Sequence, residues 1–567
     1  MSIVVIPGGP ESKITPEDFD ELLASLNISN VSPQDKSDYL AVLRSFESVL
    51  NKVDATADYI PPSLSPQSAE CRQFHTPTPE ENPFNAWSFR CGIATTTPAT
   101  DILKDRTFAI KDNISVAGLP TTIGTSPYIF SEDGKWDPSA VDSTAVARML
   151  DAGGVIRGTS TCEAFCASPL SYTSFTGHVH NPRLVGHTAG GSSSGSAALV
   201  AAHSLKSFSD KPVEYWGTTA ELAIGSDQAG SVRIPSSYNG IYGLKPTFGL
   251  VPYTGAASMS PMIDHLGPMA ATLDDIAALL EVIAGYDGLD PRMTPESPLR
   301  EHVKPYREIL ASFRKQLYSP SDASLTRKWK VGLLKESFQV AGLTEAVRDT
   351  VMNAAQSYFT RAGADVVEVS VPMHTDGPVI WNAATRPSMS TWLLKGRCSG
   401  HLTFLPPHIH PRPASQATYD ILNANNPAAV NVLLSEVAAD RLLDPSLEAK
   451  AHRLVFALRA AYDAALKDVD VLIAPCAPDV AKPLPDTSKD SSVMERISYP
   501  VGTTNNTAPF NVSGHPSLNV PCGFSPHADQ PKVLLPVGMQ IIGKRFEDDK
   551  VLMAAALFEK GRELAGV

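Results

Sequence analysis

Three short stretches of this 567-residue chain hold side chains able to do covalent chemistry, and each is weak evidence taken alone. In Gly225-Ser226-Asp227-Gln228-Ala229-Gly230-Ser231-Val232-Arg233-Ile234-Pro235 a serine follows a run of small residues. Such a serine can stand on a sharp turn, with backbone N–H groups aimed where a carbonyl oxygen would become an oxyanion. Ser231 is thus a candidate nucleophile, although an ordinary serine at a strand-to-turn junction reads the same way. The segment His187-Thr188-Ala189-Gly190-Gly191-Ser192-Ser193-Ser194-Gly195-Ser196 precedes the helix-prone AALVAA. Small residues let the chain turn tightly and bring amides or hydroxyls to one point. An anion-binding nest, a flexible linker and a turn before a helix all fit. In Phe108-Ala109-Ile110-Lys111-Asp112-Asn113 an apolar strand ends on a lysine. A lysine there ordinarily reaches solvent. Enclosed among apolar and hydroxyl groups, it becomes a candidate base, because desolvation disfavours the ammonium.

The elements that must position these residues alternate between two periodicities. Short apolar runs at 108–110, 154–156, 331–334, 366–369 and 471–473 read as strands, and 273–284 and 344–359 repeat as helices. This alternation predicts an α/β fold built as a layered sheet covered by helices. Ahead of it, two helices are predicted. The first opens at Thr15-Pro16-Glu17-Asp18, with Phe19, Leu22, Leu23 and Leu26 on one face. The second is capped by Ser32 and Pro33 and carries a stripe of Tyr39, Leu40, Leu43, Phe46 and Leu50, expected to pack on the first. A Pro-, Ser- and Thr-rich connector follows over 55–83. The expected division is an N-terminal helical region with the start of the connector at 1–64, and a catalytic domain at 65–567. The stretches 293–328 and 373–431 lack periodicity and read as long loops.

Together the three segments resemble the amidase signature family, whose pattern has a strand-end lysine, a GGSSGGS loop and a GSDxGGSIRIPA segment before GLKPT. They stand here as FAIKDN, GGSSSGS and GSDQAGSVRIPS. The resemblance continues through Asp264-His265-Leu266-Gly267-Pro268-Met269, PFNVSGHP from Pro509 and PVGMQIIG from Pro536, so it spans Phe108 to the C-terminal region. CEAFCAS and SYTSFTGHVHNP, with the helical extension, are most similar to amidases of bacterial nitrile-degradation pathways. The resemblance implies a large mixed sheet and amide hydrolysis. It makes Ser231 the acylated nucleophile, Ser192 a bridging serine on a cis peptide, and Lys111 the base. The amides of Gln228, Ala229, Gly230 and Ser231 become oxyanion donors. Ser193, Asp227 and Arg233 become supports of the serine loop. Gly190, Gly191 and Trp381 are candidate substrate contacts. Ser194 and Ala229 stand where the pattern has glycines, so strain is expected if either position needs a positive φ. A polar stretch over 203–216, with Lys206, Asp210, Lys211 and Glu214, is expected as an inserted exposed loop.

Composition narrows the alternatives. Hydrophobic residues at 43% and charged residues at 19% suit a globular core. The net charge of -13, with no basic track interleaved with aromatics, argues against nucleic acid as a partner. No apolar run of ~18 to 20 residues and no leader pattern is seen, so no membrane partner and a cytoplasmic location are expected. Seven scattered cysteines read as free thiols rather than a disulfide framework, and Cys162 with Cys166 lacks a second pair for zinc. No metal or organic cofactor is required. The expected partner is a small-molecule amide, and a homodimer is compatible with the N-terminal hairpin. Four rivals stand: a carbamate hydrolase of the same family, a Ser-His-Asp hydrolase using His187, His265 or His515, a non-catalytic binding or assembly protein of the same fold, and a glutamine-using transamidosome subunit of that fold.

Overall fold

The computed structural model describes residues 12–66, 72–318, 328–395, 409, 411–444, 446–486, 491–527 and 530–566. Two compact units emerge, Met1–Pro62 and Ser63–Val567. In the first, the helix Pro16–Ser25 starts at Thr15, whose hydroxyl accepts from the Asp18 N–H while the Asp18 carboxylate accepts from the Thr15 N–H. At the start of the helix Pro33–Asp54 the Ser32 hydroxyl accepts from the Asp35 N–H. These bonds satisfy amides that a helix start leaves without partners. Of the predicted apolar stripes only part is covered. Phe19 is buried and Leu23, Leu40 and Leu43 are half-buried, whereas Leu22, Leu26, Tyr39, Phe46 and Leu50 are exposed. Two helices make a seam only one or two side chains wide, so the outer edge of each stripe stays uncovered.

The second unit is built on a twelve-stranded mixed sheet. Its order is Phe74–His75, Trp87–Ile93, Val155–Ser160, Thr107–Lys111, Leu222–Ser226, Leu266–Ala270, Tyr242–Lys245, Ser517–Pro526, Leu534–Ile542, Val471–Pro475, Lys330–Leu334, Asp365–Val369. All five apolar runs expected as strands lie in it. The strand Thr107–Lys111 runs parallel to both neighbours, with Lys111 opposite Ser160 and Ile110 opposite Ile224. Lys111 and Ser226 therefore sit at the same carboxyl end of adjacent parallel strands, where open α/β sheets characteristically place ligands. Phe108, Ala109 and Ile110 are wholly buried, as befits a strand covered on both faces.

Helices cover the sheet. Leu273–Ile283 and Glu345–Arg361 form where helical periodicity is evident, each capped by a threonine, Thr272 and Thr344. The stretch 373–431, expected as loop, instead carries Gly377–Met389, Gln416–Asn425 and the start of Pro427–Leu442, with 396–408 and 410 outside the described residues. Pro387 inside the first of these helices obscures its pattern. Likewise 293–328 contains the helix Tyr306–Tyr318, and 319–327 lie outside the described residues. The stretch 203–216 is only partly loop. It begins inside the helix Ser194–Lys206 and ends in a 3-10 turn, Val213–Trp216, that buries Trp216 against Phe84. Among the described residues, no helix is long and apolar enough to cross a membrane.

Candidate active site

Lys111 is 0% exposed. Its Nζ donates to Ser192 Oγ at 2.7 Å, to Ser226 Oγ at 2.8 Å and to the Ser226 carbonyl at 3.3 Å. A buried amine needs hydrogen-bond partners, and here two hydroxyls and a carbonyl provide them. Ser226, the last residue of the neighbouring strand, was not singled out from sequence as a partner of the lysine. Its position two residues before Gln228 in the serine segment was the available signal.

The loop before the helix Ser194–Lys206 presents Ser192. The Gly191–Ser192 peptide is cis. A Cβ at Gly191 would come within 2.6 Å of the Ser168 carbonyl and 2.9 Å of Glu163 Cγ, so only glycine permits this close approach. Gly190 is packed as tightly against Pro235 and Tyr238. The Glu163 N–H donates to the Ser192 carbonyl at 3.3 Å, and the Ser193 N–H donates to the Ser231 carbonyl at 3.2 Å. Ser193 Oγ donates to the Ser226 carbonyl at 3.3 Å. The two serine segments are thus tied together through Ser193. Neither Ser194 nor Ala229 takes a positive φ, so the strain considered for them does not arise; Gly230, with φ of 132°, takes the glycine conformation.

Asp227 organises the turn that carries Ser231, which is 7% exposed. Its carboxylate accepts from the amides of Gly230 at 2.7 Å and Val232 at 3.1 Å, and from Arg233 Nε and Nη2 at 3.0 and 2.9 Å. Arg233, equally buried, reaches on to Asn511 Oδ1 at 2.7 Å and Gln540 Oε1 at 2.8 Å. Burial pushes the Asp227 carboxyl upward, but the guanidinium and the bonds from Arg233 and Asn511 outweigh it and hold it well below the usual range. The Gly230 N–H is committed to Asp227, which leaves the amides of Gln228, Ala229 and Ser231 as candidate oxyanion donors. Asn511 and Gln540 escaped assignment from sequence, although both lie inside the PFNVSGHP and PVGMQIIG runs.

Trp381, on the helix Gly377–Met389, donates its indole N–H to the Gln228 carbonyl at 2.8 Å. It is half-buried and packs on a hydrophobic cluster whose members include Ile123, Phe165 and Met259. The Gln228 amide side chain donates to Tyr253 OH at 2.7 Å. The three histidines considered as bases are engaged elsewhere: His265 with the Ile263 carbonyl, His515 with Asp463 and Ser513, and His187 with His527. Burial lowers the basicity of both His265 and His515. Cys162 and Cys166 are buried free thiols, and among the described residues no cluster of His, Cys, Asp or Glu is arranged to hold a metal ion.

Comparison with known proteins places this geometry. The sequence profile of the Amidase family matches residues 95–552. The chain is 35% identical over 497 residues to an enantioselective amidase of Rhodococcus rhodochrous, covering 86% of this chain and 85% of the relative. It is 30% identical over 463 residues to a glutamyl-tRNA(Gln) amidotransferase subunit of Synechococcus sp. (strain CC9605), covering 80% and 82%. Among solved structures, the native peptide amidase from Stenotrophomonas maltophilia superposes with a TM-score of 0.60 at 27% identity, covering 81% of this chain and 83% of that one. With a family match over most of its length and a buried lysine joined to the glycine-flanked Ser192, the chain belongs to the amidase family, whose members are amidohydrolases that cleave amide C–N bonds.

Proposed function

We propose that this chain hydrolyses small carboxylic amides to the carboxylate and ammonia or an amine, through an acyl-enzyme on Ser231. Lys111, as the neutral amine, takes the Ser192 hydroxyl proton while Ser192 takes that of Ser231, and Ser231 Oγ attacks the amide carbon. The tetrahedral oxyanion is met by the amides of Gln228, Ala229 and Ser231. The proton held on Lys111 returns through Ser192 to the leaving nitrogen as the C–N bond breaks. Water then repeats the path against the ester and frees Ser231. The observation that carries this reading is the 2.7 Å bond between Lys111 Nζ and Ser192 Oγ, made where no solvent competes. Trp381, whose indole N–H holds the Gln228 carbonyl, is the candidate contact for the acyl group.

A fluorophosphonate should modify Ser231, and Ser231→Ala should abolish the modification; a label on any other residue overturns the assignment. Ammonia release from acetamide, benzamide, longer-chain amides and ethyl carbamate would rank acyl preference, and faster turnover of the carbamate than of every amide would transfer the proposal to urethane hydrolysis. Trp381→Phe keeps a ring of similar shape but removes the donor to the Gln228 carbonyl. Loss of one such bond, ~0.5 to 1.5 kcal/mol, predicts a roughly threefold to tenfold fall in kcat with little change in melting temperature. A rise confined to KM would instead make Trp381 a substrate contact.

A further inference from the structure

Glu163 is a buried titratable group for which the relay just described has no task. It is 0% exposed, and its carboxylate accepts from the Thr173 N–H and Thr173 hydroxyl, each at 2.7 Å, and from the Ser194 hydroxyl at 2.9 Å. All three donors are neutral. The Glu163 backbone N–H donates to the Ser192 carbonyl, and its Cγ lies against Gly191. Glu163 therefore grips the Ser192 loop from one side while Lys111 holds the Ser192 hydroxyl from the other. Ser194 stands where the resembling pattern has a glycine, and its hydroxyl is the group that reaches this carboxylate.

We propose that Glu163 is a positioning residue for the relay and the counter-charge to the ammonium that forms when Lys111 takes the Ser192 proton, with Ser194 orienting its carboxylate. The proposal rests on the reading of Lys111, Ser192 and Ser231 given above. No bond is made to Glu163; in its ionised form, which dominates above about pH 7, it keeps its charge while one proton moves from Ser231 to Ser192 and from Ser192 to Lys111. A negative charge held in a water-free region favours that transfer far more than it would in solvent, and it is in place before the reaction starts. Burial pushes the Glu163 carboxyl up to about 7, against the bonds from Thr173 and Ser194 and the charge on Lys111, which pull it down. The ionisable groups that interact with its carboxylate are Lys111 and Tyr172, while Cys162 and Cys166 on its own segment face Lys111, Cys166 also reaching Ser192 and Ser226. Burial likewise pushes Asp112 up to about 7, opposed by hydrogen bonds from Thr122.

The test is the pH profile of amide hydrolysis by the full-length Glu163→Gln, Ser194→Gly and Lys111→Met chains. Glutamine keeps the size and can still accept from Thr173, but it carries no charge. Without the carboxyl, the acid limb of kcat/KM that its ionisation contributes near pH 7 is lost and the plateau falls about tenfold. Ser194→Gly withdraws one donor, keeps the carboxyl protonated to higher pH, and should move that limb upward, with a loss of about threefold at neutral pH. A merely structural role would lower the plateau and leave the limb in place. Native turnover by Lys111→Met would sink the relay itself. An inactive Lys111→Met beside a Glu163→Gln chain with the native limb would leave the relay standing and overturn the role of Glu163. Should Glu163→Gln fail to fold, an unmoved limb in Ser194→Gly overturns it equally.

Discussion

Lys111→Ala should lower kcat/KM by at least about 10³-fold, the scale on which a positioned general base contributes. The expectation follows from the enclosure of the amine, whose hydrogen bonds among the described residues go to Ser192 and Ser226 at or below 3.3 Å. Bulk solvent does not reach this point to act as a substitute acceptor, and the three histidines are occupied elsewhere. Truncation to alanine also leaves a cavity, so Lys111→Met is the companion variant. It fills the space and removes the amine, while the Ser192 and Ser226 hydroxyls stay free to rotate to other partners. A methionine chain that melts at or above the native temperature and yet fails to acylate Ser231 would isolate proton acceptance from folding. Turnover within tenfold of native in that chain would be fatal to the base assignment.

Asp227→Asn should cost about 3 to 5 kcal/mol of unfolding free energy, a large share of the ~5 to 15 kcal/mol available to a typical domain. The substitution leaves the Arg233 guanidinium buried without its counter-charge and turns an amide donor toward groups that are themselves donors: the Gly230 and Val232 amides, Arg233 and Asn511 Nδ2. Activity should fall with stability, since the same bonds hold the turn that presents Ser231. The pH dependence has a definite sign. The folded Asp227 carboxyl is held below its unfolded value, so its contribution is present above the unfolded pKa and is lost as pH falls through the folded one. The difference between native and variant chains, read by urea denaturation, should therefore be constant from about pH 8 to 5 and shrink only below about pH 4. A difference under about 1 kcal/mol at pH 7 would mean that solvent or a rearranged partner compensates Arg233.

Much of this molecule was legible before any coordinates. Local rules sufficed for the strand ending at Lys111, for the helices opened at Thr15 and Ser32, for the helical repeats at 273–284 and 344–359, and for the glycine-flanked serines, because period and capping are properties of neighbouring residues. The ordered series of motifs sufficed for the family. Long loops were misjudged where proline masked helical periodicity, as around Pro387. The outward face of the N-terminal stripe was misjudged because burial depends on what covers a face, which periodicity does not reveal.

What only the tertiary structure decided is which distant groups meet. Arg233 finds Asn511 and Gln540 across 278 and 307 positions of chain, because Ser517–Pro526 and Leu534–Ile542 enter the middle of the sheet near the serine turn. Trp381 finds the Gln228 carbonyl across 153 positions, and Ser194 finds Glu163 across 31. The Gly230 amide is claimed by Asp227 rather than left for an oxyanion. Sequence determined which side chains could react; sheet order and close packing decided which buried donors and acceptors pair, because each must find a partner and the nearest one in space is seldom the nearest along the chain.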